Sequence, residues 1–155
     1  MERSYHALSF RRAVGAAGLQ NGRNQVTDSF VDYAAAHRIV TLTLNRPESR
    51  NAIAAQQDCQ DVIDAVRRAE QDPGISCIVL TGAGASFCAG GNLKGMQSRS
   101  GIGRLGTPEA TRANYRRGVQ RMIRALWDCE VPMVAAVNGH AIAGGCVMTV
   151  ASDIR

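Results

Sequence analysis

Two glycine-rich turns in this sequence have the residue types needed to hold negative charge on a ligand. Each follows an apolar run and leads into a helical pattern, at residues 82–94 and at residues 138–145. Glycine lets the backbone approach a ligand closely and permits positive φ angles. A helix that begins just after such a turn directs its free N–H groups and the positive end of its dipole into the space beyond. If the two turns faced each other, two N–H groups could share one oxygen and stabilise an oxyanion or enolate.

The elements around these turns alternate between strand and helix. Apolar or alternating runs predict strands at residues 30–33, 39–44, 75–81 and 133–137. Apolar residues at helical spacing predict three helices. The first ends before Asp72, the second runs from Thr107 to about Trp127, and the third covers residues 146–151. Strands and helices in this order are typical of an α/β fold.

Individual side chains support the helix boundaries and faces. Thr107-Pro108-Glu109 combines a hydroxyl cap, a proline at the first helical position and an acidic first turn. The apolar faces of the first two helices are expected to pack in the core, and they comprise Cys59, Val62, Ile63 and Val66, then Tyr115, Val119, Met122, Ile123 and Leu126. Residues 97–106 are rich in Ser, Gly and Arg and are expected to form a mobile surface loop.

The composition narrows the class of protein. The chain has 155 residues, 45% of them hydrophobic and 20% charged, which suits one packed domain. Aromatic residues make up only 5%, too few for a surface that stacks on nucleic-acid bases. No apolar run is long enough to span a membrane. The five cysteines include no Cys-x-x-Cys pair, which argues against a disulfide framework or zinc ribbon and fits a reducing, cytosol-like compartment.

The amino-terminal segment, residues 1–25, differs from the rest of the chain. Its four arginines and one glutamate give it a net charge of +3, whereas the remainder carries 14 basic and 12 acidic side chains. The nearly balanced remainder does not indicate a nucleic-acid partner. An Arg-rich, acid-poor start is typical of a transit peptide, which would imply a mitochondrial protein. A start site assigned too far upstream explains it equally well, and the protein is then expected in the cytoplasm.

Three motifs within residues 28–155 resemble those of the crotonase superfamily, the enoyl-CoA hydratases and isomerases. Residues 87–94, Phe-Cys-Ala-Gly-Gly-Asn-Leu-Lys, resemble its Ala-Gly-x-Asp-Leu element. Residues 132–146, Pro-Met-Val-Ala-Ala-Val-Asn-Gly-His-Ala-Ile-Ala-Gly-Gly-Cys, resemble its second signature. Leu-Asn-Arg-Pro at 44–47, with Asn51 and Ala52 after it, resembles the exit of its first strand. The motifs occur in the family's order, so residues 26–155 are identified as the N-terminal part of a crotonase-like domain.

The resemblance implies a fold, a ligand and a set of site residues. The fold would be an α/β, crotonase-like (ClpP/crotonase) spiral of ββα units. The ligand would be an acyl-CoA thioester, with coenzyme A as part of the substrate, no tightly bound cofactor and no metal. The oxyanion donors would be the backbone N–H groups of Gly91 and Gly144. The coenzyme-binding positions would be Ala89, Asn92, Leu93, Lys94 and Arg50. Full-length relatives are expected to form homotrimers or hexamers.

The sequence departs from the family pattern at three points. Val147 stands where hydratases of the family carry a catalytic Glu, and valine can neither accept nor donate a proton. Asn92 replaces the Asp of the first motif, which keeps a helix cap and removes a charge. The chain ends at Arg155, before the part that in relatives supplies a second catalytic acid, the acyl-chain lid and the subunit-joining helices. We expect the chain to be truncated, and its uncovered apolar faces to promote association.

Two other functions stay open. The first is a catalytically inactive, truncated homologue or an interaction module, which the missing Glu favours. The second is a NAD-binding Rossmann protein, suggested by the Gly-Ala-Gly at residues 82–84 after a strand, although a third glycine and a later acidic residue are missing.

Four further side chains near the turns are expected to be structural. His140 lies within the second motif, and Cys88 and Cys146 flank the proposed site. Neither cysteine has a base beside it in sequence, so both are expected to be buried, unreactive thiols. Asp153 is expected to cap or brace the backbone.

Overall fold

The computed structural model describes residues 29–103 and 106–155, and a four-stranded sheet lies at its centre. Strands β1 (Val31–Ala36) and β2 (Ile39–Leu44) form an antiparallel hairpin. His37 and Arg38 make the turn between them, both with positive φ. β1 is longer than predicted because backbone pairing continues through its last three alanines, which carry no apolar–polar alternation.

Two parallel strands complete the main sheet. β3 (Cys77–Gly82) pairs with β2, and β5 (Met133–Ala135) pairs with β3, so the strand order is β1-β2-β3-β5. Parallel neighbours need a crossover connection, and helix α1 (Gln56–Glu70) provides the one between β2 and β3. The helix ends before Asp72, as predicted.

A second sheet, of two strands, follows the main one. β4 (Ser86–Cys88) comes after β3, β6 (His140–Ala141) comes after β5, and these two strands are parallel. A helix follows each of them, α2 (Leu93–Gln97) and α5 (Gly144–Ala151) respectively. The chain therefore runs through successive strand–strand–helix units, β1-β2-α1, β3-β4-α2 and β5-β6-α5. This is the ββα repeat that the family resemblance implied.

The hydrophobic core lies between the main sheet and the helices that cover it. Alternate residues of the central strands are fully buried, and they are Val40, Leu42, Leu44, Ile78 and Leu80. The predicted apolar face of α1 is also buried, through Cys59, Val62, Ile63 and Val66. Met122 and Leu126 enter the core from helix α4 (Val119–Trp127). The alternation in the central strands and the helical spacing in α1 thus predicted correctly which of their faces are buried.

The single helix predicted from Thr107 onward is in fact two helices. α3 (Pro108–Arg117) begins at its predicted cap, where the Thr107 hydroxyl oxygen accepts a hydrogen bond from the N–H of Ala110 at 3.2 Å. The chain then bends at Gly118, with φ −102° and ψ −97°, before α4. A side chain at Gly118 would collide with the amide group of Gln56. The apolar spacing continues across this bend, so periodicity alone predicts one helix.

The surface loop predicted at residues 97–106 is partly wrong. Its first residue belongs to α2, and Ile102 is buried with only 2% of its surface exposed. The Ile102 N–H donates to the carbonyl of Ala54 at 2.9 Å. The side-chain amide of Asn114 donates to three successive carbonyls, those of residues 101–103, at 3.1, 2.7 and 3.3 Å. These contacts fix that part of the loop against the start of α1 and against α3.

The predictions for residues 1–25 lie outside the described part of the chain, which begins at Ser29. The start of the predicted domain at residue 26 lies outside it too. Within the described residues, no helix combines the length and the apolar character that crossing a bilayer requires.

Helix α5 presents apolar side chains to solvent. Val147 is 46% exposed and Val150, on the same face, is 54% exposed, while Met148 is fully buried. Ile142, just before the helix, is 53% exposed. A helix that is apolar on opposite faces is normally covered on both. This surface therefore favours association.

We expect V150Q to reduce concentration-dependent association, because it replaces an exposed isopropyl group of α5 with a hydrated amide. Size-exclusion chromatography with light scattering measures the apparent mass. I39T is the matched control, since Ile39 is 43% exposed but lies in β2, and it should leave the apparent mass unchanged. A monodisperse monomer of the unaltered chain at high concentration would contradict this expectation.

Candidate functional site

The side chain of Asn51 organises the first glycine-rich turn. It is fully buried, and its residue has a φ of 55°. Its Oδ1 accepts a hydrogen bond from the N–H of Arg46 at 2.8 Å. Its Nδ2 donates to three carbonyls at 2.9, 2.8 and 3.1 Å, those of Ala83, Ser86 and Phe87. One amide group therefore ties the exit of β2 to the segment that leads into the glycines.

The first turn leaves one N–H group free. Gly90 has a φ of 81°, and its carbonyl accepts a hydrogen bond from the N–H of Ile53 at 2.7 Å. On the other side of Gly91, the Asn92 N–H donates to the Ile53 carbonyl at 3.0 Å. The N–H of Gly91 itself has no acceptor among the described residues. An N–H group left free in an ordered turn is available to a ligand.

The second turn leaves a comparable N–H group free at the start of α5. Ala143 has φ 47° and ψ −114°, a conformation that favours glycine. Gly144 begins the helix, two residues earlier than predicted. The N–H groups of Gly145 and Val147 donate to the carbonyls of Ile142 and Ala143 at 2.9 and 3.0 Å. The Gly144 N–H finds no acceptor in the described part of the chain, and it lies at the positive end of the helix dipole.

The two turns lie against each other. A Cβ atom on Gly90 would lie 2.7 Å from the Ile142 carbonyl oxygen and 3.2 Å from the Gly144 nitrogen. A Cβ on Gly144 would lie 3.8 Å from the Cα of Gly90. Gly145 is packed as tightly, since a Cβ there would lie 2.9 Å from the Cβ of Cys88. Glycine at positions 90 and 145 permits this approach, so the start of α5 at Gly144 lies against Gly90, the residue that precedes Gly91.

The other predicted site residues lie at or next to the first turn. The Ala89 N–H donates to the carbonyl of Arg50 at 2.9 Å, so Arg50 sits beside the turn, with its side chain exposed. Asn92 caps α2, where its Oδ1 accepts a hydrogen bond from the N–H three residues later at 3.1 Å. Leu93 and Lys94 follow in α2, and both are exposed. Two accessible positive charges therefore flank the turn.

A cleft of about 570 Å³ lies on the far side of Met96 from Gly91, and no sequence motif marks it. Met96 links the two, because it lines the cleft and its methyl group occupies the place that a Cβ on Gly91 would take. The remaining lining residues are Gly106, the helix cap Thr107, and four residues of α3, namely Pro108, Thr111, Arg112 and Tyr115. Tyr115 was expected in the core and is instead half-buried in the wall of the cleft.

Carboxylates near the site hold backbone rather than ligand. Asp58 is fully buried, pairs with Arg46 at 2.7 Å, and accepts hydrogen bonds from the two N–H groups that precede α1 at 2.6 and 2.8 Å. Asp153 accepts a hydrogen bond from the N–H of Met133 at 2.8 Å, the bracing role expected for it. Within residues 29–103 and 106–155, no cluster of three His, Cys, Asp or Glu side chains could hold a metal ion.

The cysteines fall into two groups. Burial raises the pKa of Cys88 to about 11. It raises the pKa of Cys59 to about 12, with a smaller contribution from the Asp58 carboxylate. Cys88 is thus the buried thiol that was expected, whereas the same expectation for Cys146 is wrong because its side chain is exposed on α5. Successive helix positions turn by about 100°, so Cys146 points away from the face that Gly145 packs on Cys88.

We expect iodoacetamide at pH 8 to modify Cys146 in the folded chain, and Cys88 and Cys59 only after unfolding. Because burial raises the pKa of Cys88 from 9.0 to about 11, the thiol ionises first in the unfolded state. Stability should therefore hold below about pH 9 and fall as the pH rises towards 11. Peptide mass mapping measures the modification of each cysteine, and urea melts at increasing pH measure the loss of stability. C146S is the control, because it removes only the fast modification of the folded chain. Equal modification rates in the folded chain would contradict this assignment.

We expect N51A to lower the free energy of unfolding by about 2–4 kcal/mol, since it removes the hydrogen bonds that one fully buried amide makes to an N–H group and three carbonyls. Urea denaturation measures the loss. N45A is the control: Asn45 is exposed and donates one side-chain hydrogen bond, to Asp32 at 2.7 Å. That variant should cost less than about 1 kcal/mol. Similar losses in the two variants would show that the Asn51 network is not a principal support of the fold.

Known proteins share both the sequence and the fold. Residues 34–155 match the family Enoyl-CoA hydratase/isomerase. The chain is 34% identical over 117 residues to the probable enoyl-CoA hydratase EchA14 of Mycobacterium tuberculosis, a match that covers 76% of this chain and 42% of that protein. It is 33% identical over 125 residues to the enoyl-CoA hydratase ACTT3 of Alternaria alternata, covering 81% and 39% respectively.

Among solved structures, an enoyl-CoA hydratase/isomerase from Xanthobacter autotrophicus Py2 matches with a TM-score of 0.71 at 32% identity, over 81% of this chain and 44% of that one. An enoyl-CoA hydratase from Polaromonas sp. JS666 matches with a TM-score of 0.70 at 32% identity, over 79% and 46%. The chain thus spans less than half the length of these relatives. Because the chain shares this fold, the alternative of a NAD-binding Rossmann protein is wrong. The ββα units, the paired glycine turns and these matches show that the chain belongs to the enoyl-CoA hydratase/isomerase family, within the crotonase superfamily.

Proposed function

We propose that this chain binds acyl-CoA thioesters and stabilises the enolate of the thioester through the backbone N–H groups of Gly91 and Gly144. The observation that carries the proposal is the pair of N–H groups without acceptors among the described residues, at the contact between the two turns. Backbone N–H groups of a half-buried turn or helix start that lack a protein acceptor are satisfied by water or by a ligand. Two such donors on turns that touch are therefore available to one ligand oxygen.

The carbonyl of a thioester fits these donors chemically. When a proton leaves the adjacent carbon, the carbonyl oxygen takes on negative charge. Two fixed N–H groups offset that charge without having to reorganise, and removal of one such donor elsewhere costs roughly 100-fold to 1,000-fold in rate. The dipole of α5 adds positive potential at Gly144.

The surroundings of the first turn suit the coenzyme part of the substrate. Arg50 and Lys94 are accessible and positive, and phosphate oxygens are natural partners for both. The Ala89 N–H donates a hydrogen bond to the Arg50 carbonyl, which holds Arg50 beside the turn. Asn92 caps the start of the helix that carries Leu93 and Lys94. Coenzyme A would thus enter as part of the substrate.

Proton transfer needs a group other than the oxyanion donors. Val147 lies one turn along α5 from Gly144 and is 46% exposed, but its side chain cannot carry a proton. This observation favours a second candidate function, a homologue that binds and polarises thioesters without turnover. In the first candidate, a residue not yet assigned moves the proton.

A carbonyl-labelled substrate tests the oxyanion donors directly. With crotonyl-CoA carrying carbon-13 at the thioester carbonyl, we expect the NMR resonance to move downfield on binding, because two hydrogen bonds polarise the C=O group. G144P removes the donor at the first position of α5, and most of the shift should disappear. G144A keeps the N–H, and its Cβ would make only an ordinary contact, 3.5 Å from the Cδ1 of Ile53, so it should retain the shift.

Calorimetry and a hydration assay separate the two candidates. Binding of crotonyl-CoA with measurable hydration supports the enzyme, and G144P should then lower the rate at least about 100-fold. Binding without hydration supports the non-catalytic homologue. Circular dichroism confirms that each variant is folded. If the unaltered, folded chain does not bind crotonyl-CoA, or binds it with no change in the carbonyl resonance, the proposed site is wrong.

A further inference from the structure

We propose that Arg112 makes this site selective for acyl groups that end in a carboxylate, which would occupy the cleft that Met96 lines. The inference rests on the proposed function, because the thioester carbonyl must first be held at the glycine turns. It adds the class of acyl group, which neither the turns nor the sequence motifs specify.

The position of the cleft connects it to the carbonyl site. Met96 lines the cleft, and its methyl group lies where a Cβ of Gly91 would be. An acyl chain that leaves the turn on the side of Met96 would therefore reach the cleft along that side chain. The volume of about 570 Å³ is within the usual range for small-ligand pockets. The acyl chain thus has room to extend from Met96 along α3.

The walls of this cleft are held in place by buried contacts. Met96 packs against Gly103, where a Cβ would collide with the Met96 side chain. The carbonyl of Gly103 in turn accepts a hydrogen bond from the Asn114 side chain of α3, at 3.3 Å. Asn114 lies one position before Tyr115 and two after Arg112, so one side chain links both walls. The cleft is therefore a formed feature of the fold.

The polar groups of the cleft favour an anion. Arg112 makes no hydrogen bond or ion pair with any described residue, and neither does the hydroxyl group of Tyr115, three positions along the same helix. None of the lining residues is acidic. A guanidinium group and a phenol hydroxyl together offer several donors, which is the set that a carboxylate accepts from.

The apolar part of the lining explains why the anion should lie at the end of a chain. Met96, Pro108 and the ring of Tyr115 offer contacts to methylene groups. Thr111 adds no free donor, since its hydroxyl donates to the Thr107 carbonyl at 3.0 Å. A short dicarboxylic acyl group has both required parts, methylenes next to the thioester and a carboxylate beyond them.

The test compares two thioesters of equal chain length, glutaryl-CoA and pentanoyl-CoA, by calorimetry with the complete chain. They differ at the distal carbon, which is a carboxylate in one and a methyl group in the other. We expect glutaryl-CoA to bind about fivefold to tenfold more tightly, a modest factor because Arg112 is accessible to solvent. The preference should shrink as salt is raised.

Arg112 variants identify the residue responsible. R112Q should abolish the preference by weakening glutaryl-CoA binding to about the level of pentanoyl-CoA, while R112K should keep part of the preference through the charge alone. R116Q is the matched control: Arg116 is exposed one turn further along α3, outside the cleft, and its variant should keep the full preference.

The outcomes separate this inference from the function on which it rests. If both thioesters bind equally to the unaltered chain, or if R112Q keeps the preference, the inference is overturned while thioester binding stands. If neither binds, the proposed function fails and the inference fails with it. An equal loss of preference in R116Q would also overturn it, since the selectivity would then reflect the general positive charge of α3.

Discussion

The buried amide of Asn51 is the constraint on which the rest of the site depends. Through it the exit of β2 is bound to the loop and strand that follow β3, so two successive ββα units are fixed to each other by one side chain. The backbone just after Asn51 continues this role. Arg50 and Ile53 provide the hydrogen-bond partners of the residues around the first turn, and Ala54 accepts from the loop that carries Ile102. The backbone of residues 50–54 thus fixes, through hydrogen bonds, both the first turn and the loop beside the cleft.

This arrangement also explains why the two proposed donors are free. Ile53 engages the carbonyl before Gly91 and the N–H after it, which leaves the Gly91 N–H as the unused group. In the second turn, the helix start leaves the Gly144 N–H unused for the usual reason that a first turn has no preceding carbonyls. Gly90 approaches the second turn closely, so the residue before Gly91 lies against the start of α5 at Gly144. The free donors are a consequence of the hydrogen bonds that build the turns.

The main sheet and α1 were largely predictable from the sequence, because β2, β3, β5 and α1 each bury one face, and burial of one face imposes a period on the residues. The short strands β4 and β6 carry no such period and were implied only by the family resemblance. The misjudged features depend on contacts between distant residues. Gly118 bends the chain where Gln56 fills the space, Asn114 buries Ile102 by holding its loop, and Tyr115 faces a cleft instead of the core. For the site, the glycine spacing indicated the turns. The cleft was not predicted, because it depends on the packing of Met96 against Gly91 and Gly103, which no local sequence pattern indicates.

The proposed chemistry divides between backbone and side chains, and this division bears on what the chain can do. The proposed oxyanion donors are peptide N–H groups, so they depend on the positions of the turns and would survive changes of side chain that keep those positions. Asn92 retains the cap at the start of α2, and Val147 retains the helix that begins at Gly144. Both substitutions remove charge or proton transfer while leaving the donors in place. In the proposed function, binding of a thioester and its turnover are therefore separable, and polarisation of the carbonyl is the part that the backbone alone would supply.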